Sequence, residues 1–109
     1  MGAAVQGFGA ALSEDLAYDD EGTPLVGSLA DYLLPLATDY PHLHCVSMEA
    51  YPSPVNPLGA KGAGEGGIIP VGAGLANAVA SALKDFNVKP DHLPLSPNRV
   101  WSLINGSKN

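Results

Sequence analysis

Between Tyr51 and Pro70 the chain cannot pass through the middle of a sheet. Pro52, Pro54 and Pro57 withhold the backbone donors that a central strand needs. A nearly side-chain-free run, Gly59-Ala60-Lys61-Gly62-Ala63-Gly64-Glu65-Gly66-Gly67, follows directly. Glycine allows a backbone to approach another group closely. One ammonium and one carboxylate are the only charges in that run. The fold must therefore carry a long presented loop, with its regular elements on either side. Thirteen Gly and ten Pro in 109 residues agree with long loops held by few elements.

Before the loop, residues 3 to 15 read as a helix, with Ala4, Val5, Phe8, Ala11 and Leu12 at spacings of three and four. Gly7 and Gly9 weaken it by about 1 kcal/mol each relative to Ala, which implies close packing against it. Met1-Gly2 leaves no room for a preceding cap, so the chain is expected to start inside a helix of something longer. Leu16–Tyr18 and Leu25–Gly27 read as short strands around an Asp19-Asp20-Glu21-Gly22 turn, with Gly22 suited to positive φ. Leu43–Tyr51 reads as a third strand. After the loop, Val71 to Leu83 places Val71, Leu75, Val79 and Leu83 on one stripe of a buried helix, opened by Pro70. Ser96 and Pro97 are a cap and first residue for a last helix to about Ile104, and Gly106 ends it. The expected fold class is α+β, with short antiparallel strands and two or three helices in one unit spanning 1–109.

Charge and cysteine content narrow the function classes. Net charge is −6, with only five Lys or Arg. Phosphate backbones need clustered cations, so neither nucleic acid nor an anionic membrane surface is an expected partner. No apolar run is long enough to span a bilayer, and no signal peptide is evident, so the cytoplasm is the expected compartment. Cys45 is the single cysteine. In His42-Leu43-His44-Cys45, strand alternation puts the two histidines on one face and the cysteine on the other, which does not make a metal site.

Several residues of the loop region admit two readings. Gly62 to Gly67 formally matches G-x-G-x-x-G with Asp85 beyond it, but a dinucleotide fingerprint requires a strand running into the loop, where this chain has prolines. Glu65 is either a solvated loop residue or a general base. As a base it would feel a helix N-terminus favouring the carboxylate and burial favouring the neutral acid. Gln6 is either a helix-surface amide or a ligand donor beside small residues. Lys61 either binds an anion or solvates the loop.

Taken together, the segments resemble the C-terminal end of the molybdenum-binding large subunit of molybdenum hydroxylases, the family of xanthine oxidase, aldehyde oxidoreductase and aerobic carbon monoxide dehydrogenase. The resemblance rests on Val5-Gln6-Gly7-Phe8-Gly9-Ala10-Ala11-Leu12, Tyr18-Asp19-Asp20-Glu21-Gly22, Ser28-Leu29-Ala30-Asp31-Tyr32, Asn56-Pro57-Leu58-Gly59-Ala60-Lys61-Gly62-Ala63-Gly64-Glu65, Ala76-Asn77-Ala78-Val79 and Leu93-Pro94-Leu95-Ser96-Pro97. These occur in family order over nearly the whole chain, and the bacterial carbon monoxide dehydrogenase-like branch is nearest in pattern. The resemblance implies molybdenum held by a molybdopterin, in bacteria often the cytosine dinucleotide form. It implies that Glu65 is the catalytic base, deprotonating a metal-bound hydroxyl. Lys61, Gly62, Ala63 and Gly64 would lie against the cofactor, and Gln6 near it. Electrons would leave through iron–sulfur and flavin subunits. The family's large subunit is several times longer, so these 109 residues would be one subdomain of a larger molybdopterin-binding domain. They would need the remainder of that subunit to act on an aldehyde, an N-heterocycle or carbon monoxide, and alone they would hold no cofactor. The competing expectation is a folded, self-associating relic without catalysis, a homo-oligomer when isolated.

Overall fold

The computed structural model describes residues 1–106. Three α-helices carry the fold: α1 (Gly2–Leu12), α2 (Val71–Ala82) and α3 (Pro97–Asn105). A 3₁₀ turn, Lys84–Phe86, follows α2. The three predicted helices are all present. Helix α1 stops three residues short of its expected end because Gly9 O accepts the backbone N–H of both Ser13 and Glu14, at 2.9 Å each. The Ser13 hydroxyl then turns away to donate to Leu33 O at 2.9 Å. Helix α3 begins as its sequence dictates, with Ser96 Oγ accepting from Arg99 N at 3.3 Å. It ends at Gly106 with φ +69°.

The α+β expectation is overturned. Among the described residues there is no strand, only an isolated antiparallel bridge between Tyr18 and Pro24. The turn between them forms as expected. Asp19 Oδ1 accepts from Glu21 N at 3.1 Å and Thr23 N at 2.7 Å, and Gly22 takes φ +82°. Pairing stops there because Pro24 has no N–H to continue a ladder. The predicted strand at 43–51 is irregular, because among the described residues its main chain meets no partner: no hydrogen bond involves residues 41–52.

Helices α1 and α2 pack against each other through small residues. A Cβ at Gly7 would stand 2.5 Å from Val71 Cβ, so glycine is what lets the start of α2 reach α1. The segment after α2 returns to α1, where Leu95 N donates to Ala11 O at 2.7 Å. Ala11, Leu95 and Val88 are the buried apolar residues. The stripe on α2 faces inward as predicted but is only half-covered: Val71, Leu75, Val79 and Leu83 are all intermediate in exposure, not buried. No helix among the described residues is long and apolar enough to cross a membrane.

Candidate functional site

The presented loop is fixed at its start by one side chain. Asn56 grips Ala60 twice, accepting from its N–H at 2.9 Å and donating from Nδ2 to its carbonyl at 3.0 Å. Gly59 N donates to Asn56 O at 3.1 Å, and Ser53 N to Gly59 O at 3.0 Å. Gly59 has φ +63°, and a Cβ there would fall 2.6 Å from Pro52 Cβ. These contacts fold residues 52–60 back on themselves and send Lys61 onward. At its far end the loop enters α2 through a turn closed by Ile68 N donating to Glu65 O at 3.0 Å. Gly67 lies against Ala3 of α1, its Cβ position 3.1 Å from Ala3 Cβ.

Three of the predicted cofactor residues, Lys61, Gly62 and Ala63, line an open cavity of about 690 Å³ together with Val46, Met48 and Leu58. Gly64 and Glu65 continue beyond that lining, and Glu65 is exposed. Gln6 is exposed on α1, one turn past the Ala3 that touches Gly67. The fold therefore brings Gln6 to the helix that anchors the loop's exit, but not to the cavity wall. Among the described residues neither Lys61 nor Glu65 forms an ion pair.

The glycines of the loop differ in kind. Gly59 is explained by its own backbone and by Pro52. Gly62, Gly64 and Gly66 are not: none has positive φ, and a Cβ at each would meet nothing within 4 Å. Among the described residues nothing requires them to lack side chains. A group from outside the chain that comes against the backbone would require it.

Asn56 and the Val46–Met48 wall were not read from the sequence as parts of the site. The signal for Asn56 was present, since Asn commonly bonds main chain in turns and Pro57 follows it. The wall carried no such signal, because it depends on where an irregular segment lies.

Residues 1–41 match the family model described as molybdopterin cofactor-binding domain. Over 97% of its length the chain is 46% identical to the 6-hydroxypseudooxynicotine dehydrogenase complex subunit gamma of Paenarthrobacter nicotinovorans. The chain belongs to the molybdenum hydroxylase family, as a segment of its molybdenum-binding subunit. It is 34% identical over 94% of its length to the carbon monoxide dehydrogenase large chain of Hydrogenophaga pseudoflava. Its structure superposes on quinoline 2-oxidoreductase from Pseudomonas putida 86 with a TM-score of 0.87 and 36% identity over 95% of the chain. In each case it spans only 13% of the similar protein.

Proposed function

We propose that this chain is the C-terminal portion of the molybdenum-binding subunit of a molybdopterin-dependent oxidoreductase, and that Glu65 is its catalytic base. The observation that carries the reading is the set of glycines at 62, 64 and 66 around Glu65, where an added Cβ would meet no described residue within 4 Å. Such a backbone suits the close approach of a flat cofactor. Lys61, Gly62, Ala63 and Gly64 hold it, mainly through main-chain groups. Lys61 adds a cation with no acidic partner among the described residues, suited to a phosphate-bearing pterin, in the cytosine dinucleotide form or without it. Gln6, on the helix that anchors the loop's exit, offers an amide donor to the same group. When bound, the molybdenum cofactor supplies a two-electron acceptor.

Glu65 takes a proton onto a carboxylate oxygen while a C–O bond forms at an electron-poor substrate carbon. Its neighbours carry no bulk, so the carboxylate can follow that oxygen. For an aldehyde or N-heterocycle the net change replaces C–H by C–OH with oxygen from water. Two protons and two electrons are released, and the electrons pass to iron–sulfur and flavin subunits. The relatives named for quinoline and 6-hydroxypseudooxynicotine favour an N-heterocycle over carbon monoxide. The remainder of the large subunit completes the pocket.

Glu65→Gln in the complete enzyme tests the assignment. Turnover is expected to fall at least about a hundredfold, as removal of a general base does, with molybdenum content unchanged. Full turnover in that variant removes Glu65 from the role.

A further inference from the structure

Residues 61–64 run between two fixed points. Among the described residues the main chain of Lys61, Gly62, Ala63 and Gly64 makes no hydrogen bond. Gly62 and Gly64 add backbone freedom to that span. Its far end is held at Glu65, whose carbonyl accepts from Ile68 N at 3.0 Å. Its near end is held at Ala60. The course of the residues between is therefore set by how those two ends are placed.

Ala60 is held by Asn56. Oδ1 accepts from Ala60 N at 2.9 Å, and Nδ2 donates to Ala60 O at 3.0 Å. Among the described residues no other side chain bonds the main chain of 59–67. A side-chain amide carries a donor and an acceptor, as a peptide group does, so Asn56 pairs with Ala60 as a neighbouring strand would. Alanine at 56 would supply neither group, and aspartate only the acceptor. The rest of the turn does not depend on this side chain. Gly59 N donates to Asn56 O at 3.1 Å and Ser53 N to Gly59 O at 3.0 Å, all through main-chain atoms. Without the Asn56 amide the tether retreats to Gly59, and Ala60 joins the free span.

We infer that Asn56 is a positioning residue for the reaction: its grip on Ala60 sets the course of Lys61 to Gly64, and so where that main chain and the Glu65 carboxylate meet the reacting groups. The inference rests on the reading of Glu65 as the base. Asn56 acts through Ala60, and it matters because a small displacement of a reacting group costs far more in rate than in stability.

The test is made on the complete molybdenum-loaded enzyme, with molybdenum content, kcat per molybdenum, KM and amide exchange all measured. In Asn56→Ala the Ala60 amide is expected to exchange at least about tenfold faster than in wild type. In the same variant kcat per molybdenum is expected to fall at least about tenfold, with KM within about threefold of wild type. Asn56→Asp keeps the acceptor for Ala60 N–H and loses the donor to Ala60 O. It is expected to keep the amide protection and to lose at least about threefold in kcat per molybdenum, which decides the matter if Asn56→Ala fails to assemble. Unchanged kcat per molybdenum in these variants, with lost activity matching lost molybdenum, overturns the positioning role and leaves Glu65 as the base. Full turnover in a parallel Glu65→Gln enzyme overturns the base, and this inference with it.

Discussion

At the scale of single residues, two kinds of glycine make opposite predictions. Gly59→Ala forces an L side chain into positive φ and against Pro52, and is expected to cost about 1–2 kcal/mol in thermal unfolding. Gly64→Val puts its side chain into open space, so stability is expected to stay within about 0.5 kcal/mol of wild type. In the complete enzyme the same change is expected to lower molybdenum content, read by elemental analysis. Tyr32 offers a third test. Its hydroxyl donates to Glu14 Oε2 at 2.7 Å. That hydrogen bond, helped by desolvation and by the negative charge of Glu14, holds the phenol's pKa above its ordinary value of 10.0. The folded chain thus favours the protonated phenol. The stability it lends is complete below the ordinary tyrosine value and is lost as pH rises through the raised one. Ultraviolet titration is expected to show Tyr32 ionising late, and Glu14→Ala is expected to bring it back toward its ordinary value. The presented loop of the candidate site is legible in the sequence, because a charge among glycines is a local pattern, and three of its residues, Lys61, Gly62 and Ala63, line one cavity. Asn56 is less so: its two bonds to Ala60 exist only once the loop has folded back.

At the scale of elements, helices were legible and strands were not. Helix signals are local: Ser96 caps its own helix, Pro97 starts it and Gly106 stops it, all within one short segment. Ser96→Ala is expected to cost about 1 kcal/mol, measured by denaturant unfolding. A strand is a different matter, since its stability lies in a partner that local sequence does not contain. Leu16–Tyr18 and Leu25–Gly27 had a correct turn between them but met Pro24, and Leu43–Tyr51 met no partner among the described residues. Close packing of α1 on α2 was foreshadowed by Gly7. Gly7→Ala would drive a methyl into Val71, and overpacking of that kind is expected to cost about 1–3 kcal/mol. The sharper consequence is a shift of α2, and with it of the Glu65 turn that leads into it. In the complete enzyme the variant should lose turnover beyond what its stability loss explains.

At the scale of the whole molecule, the chain is not closed on itself. Its radius of gyration is 17.7 Å, against about 13 Å for a compact domain of this length. Leu58, Val55 and Ile69, all more than four-fifths exposed, lie on the same stretch as the presented loop or at its exit. Uncovered apolar surface of this extent promotes association, and the chain spans only 13% of the similar proteins. The most direct measurement is molybdenum per chain in protein purified gently from its own source, with every co-purifying chain identified. Near-stoichiometric molybdenum, with this sequence joined to or bound by the rest of a large subunit, is the predicted result. A chain that carries no molybdenum and associates only with itself would contradict it.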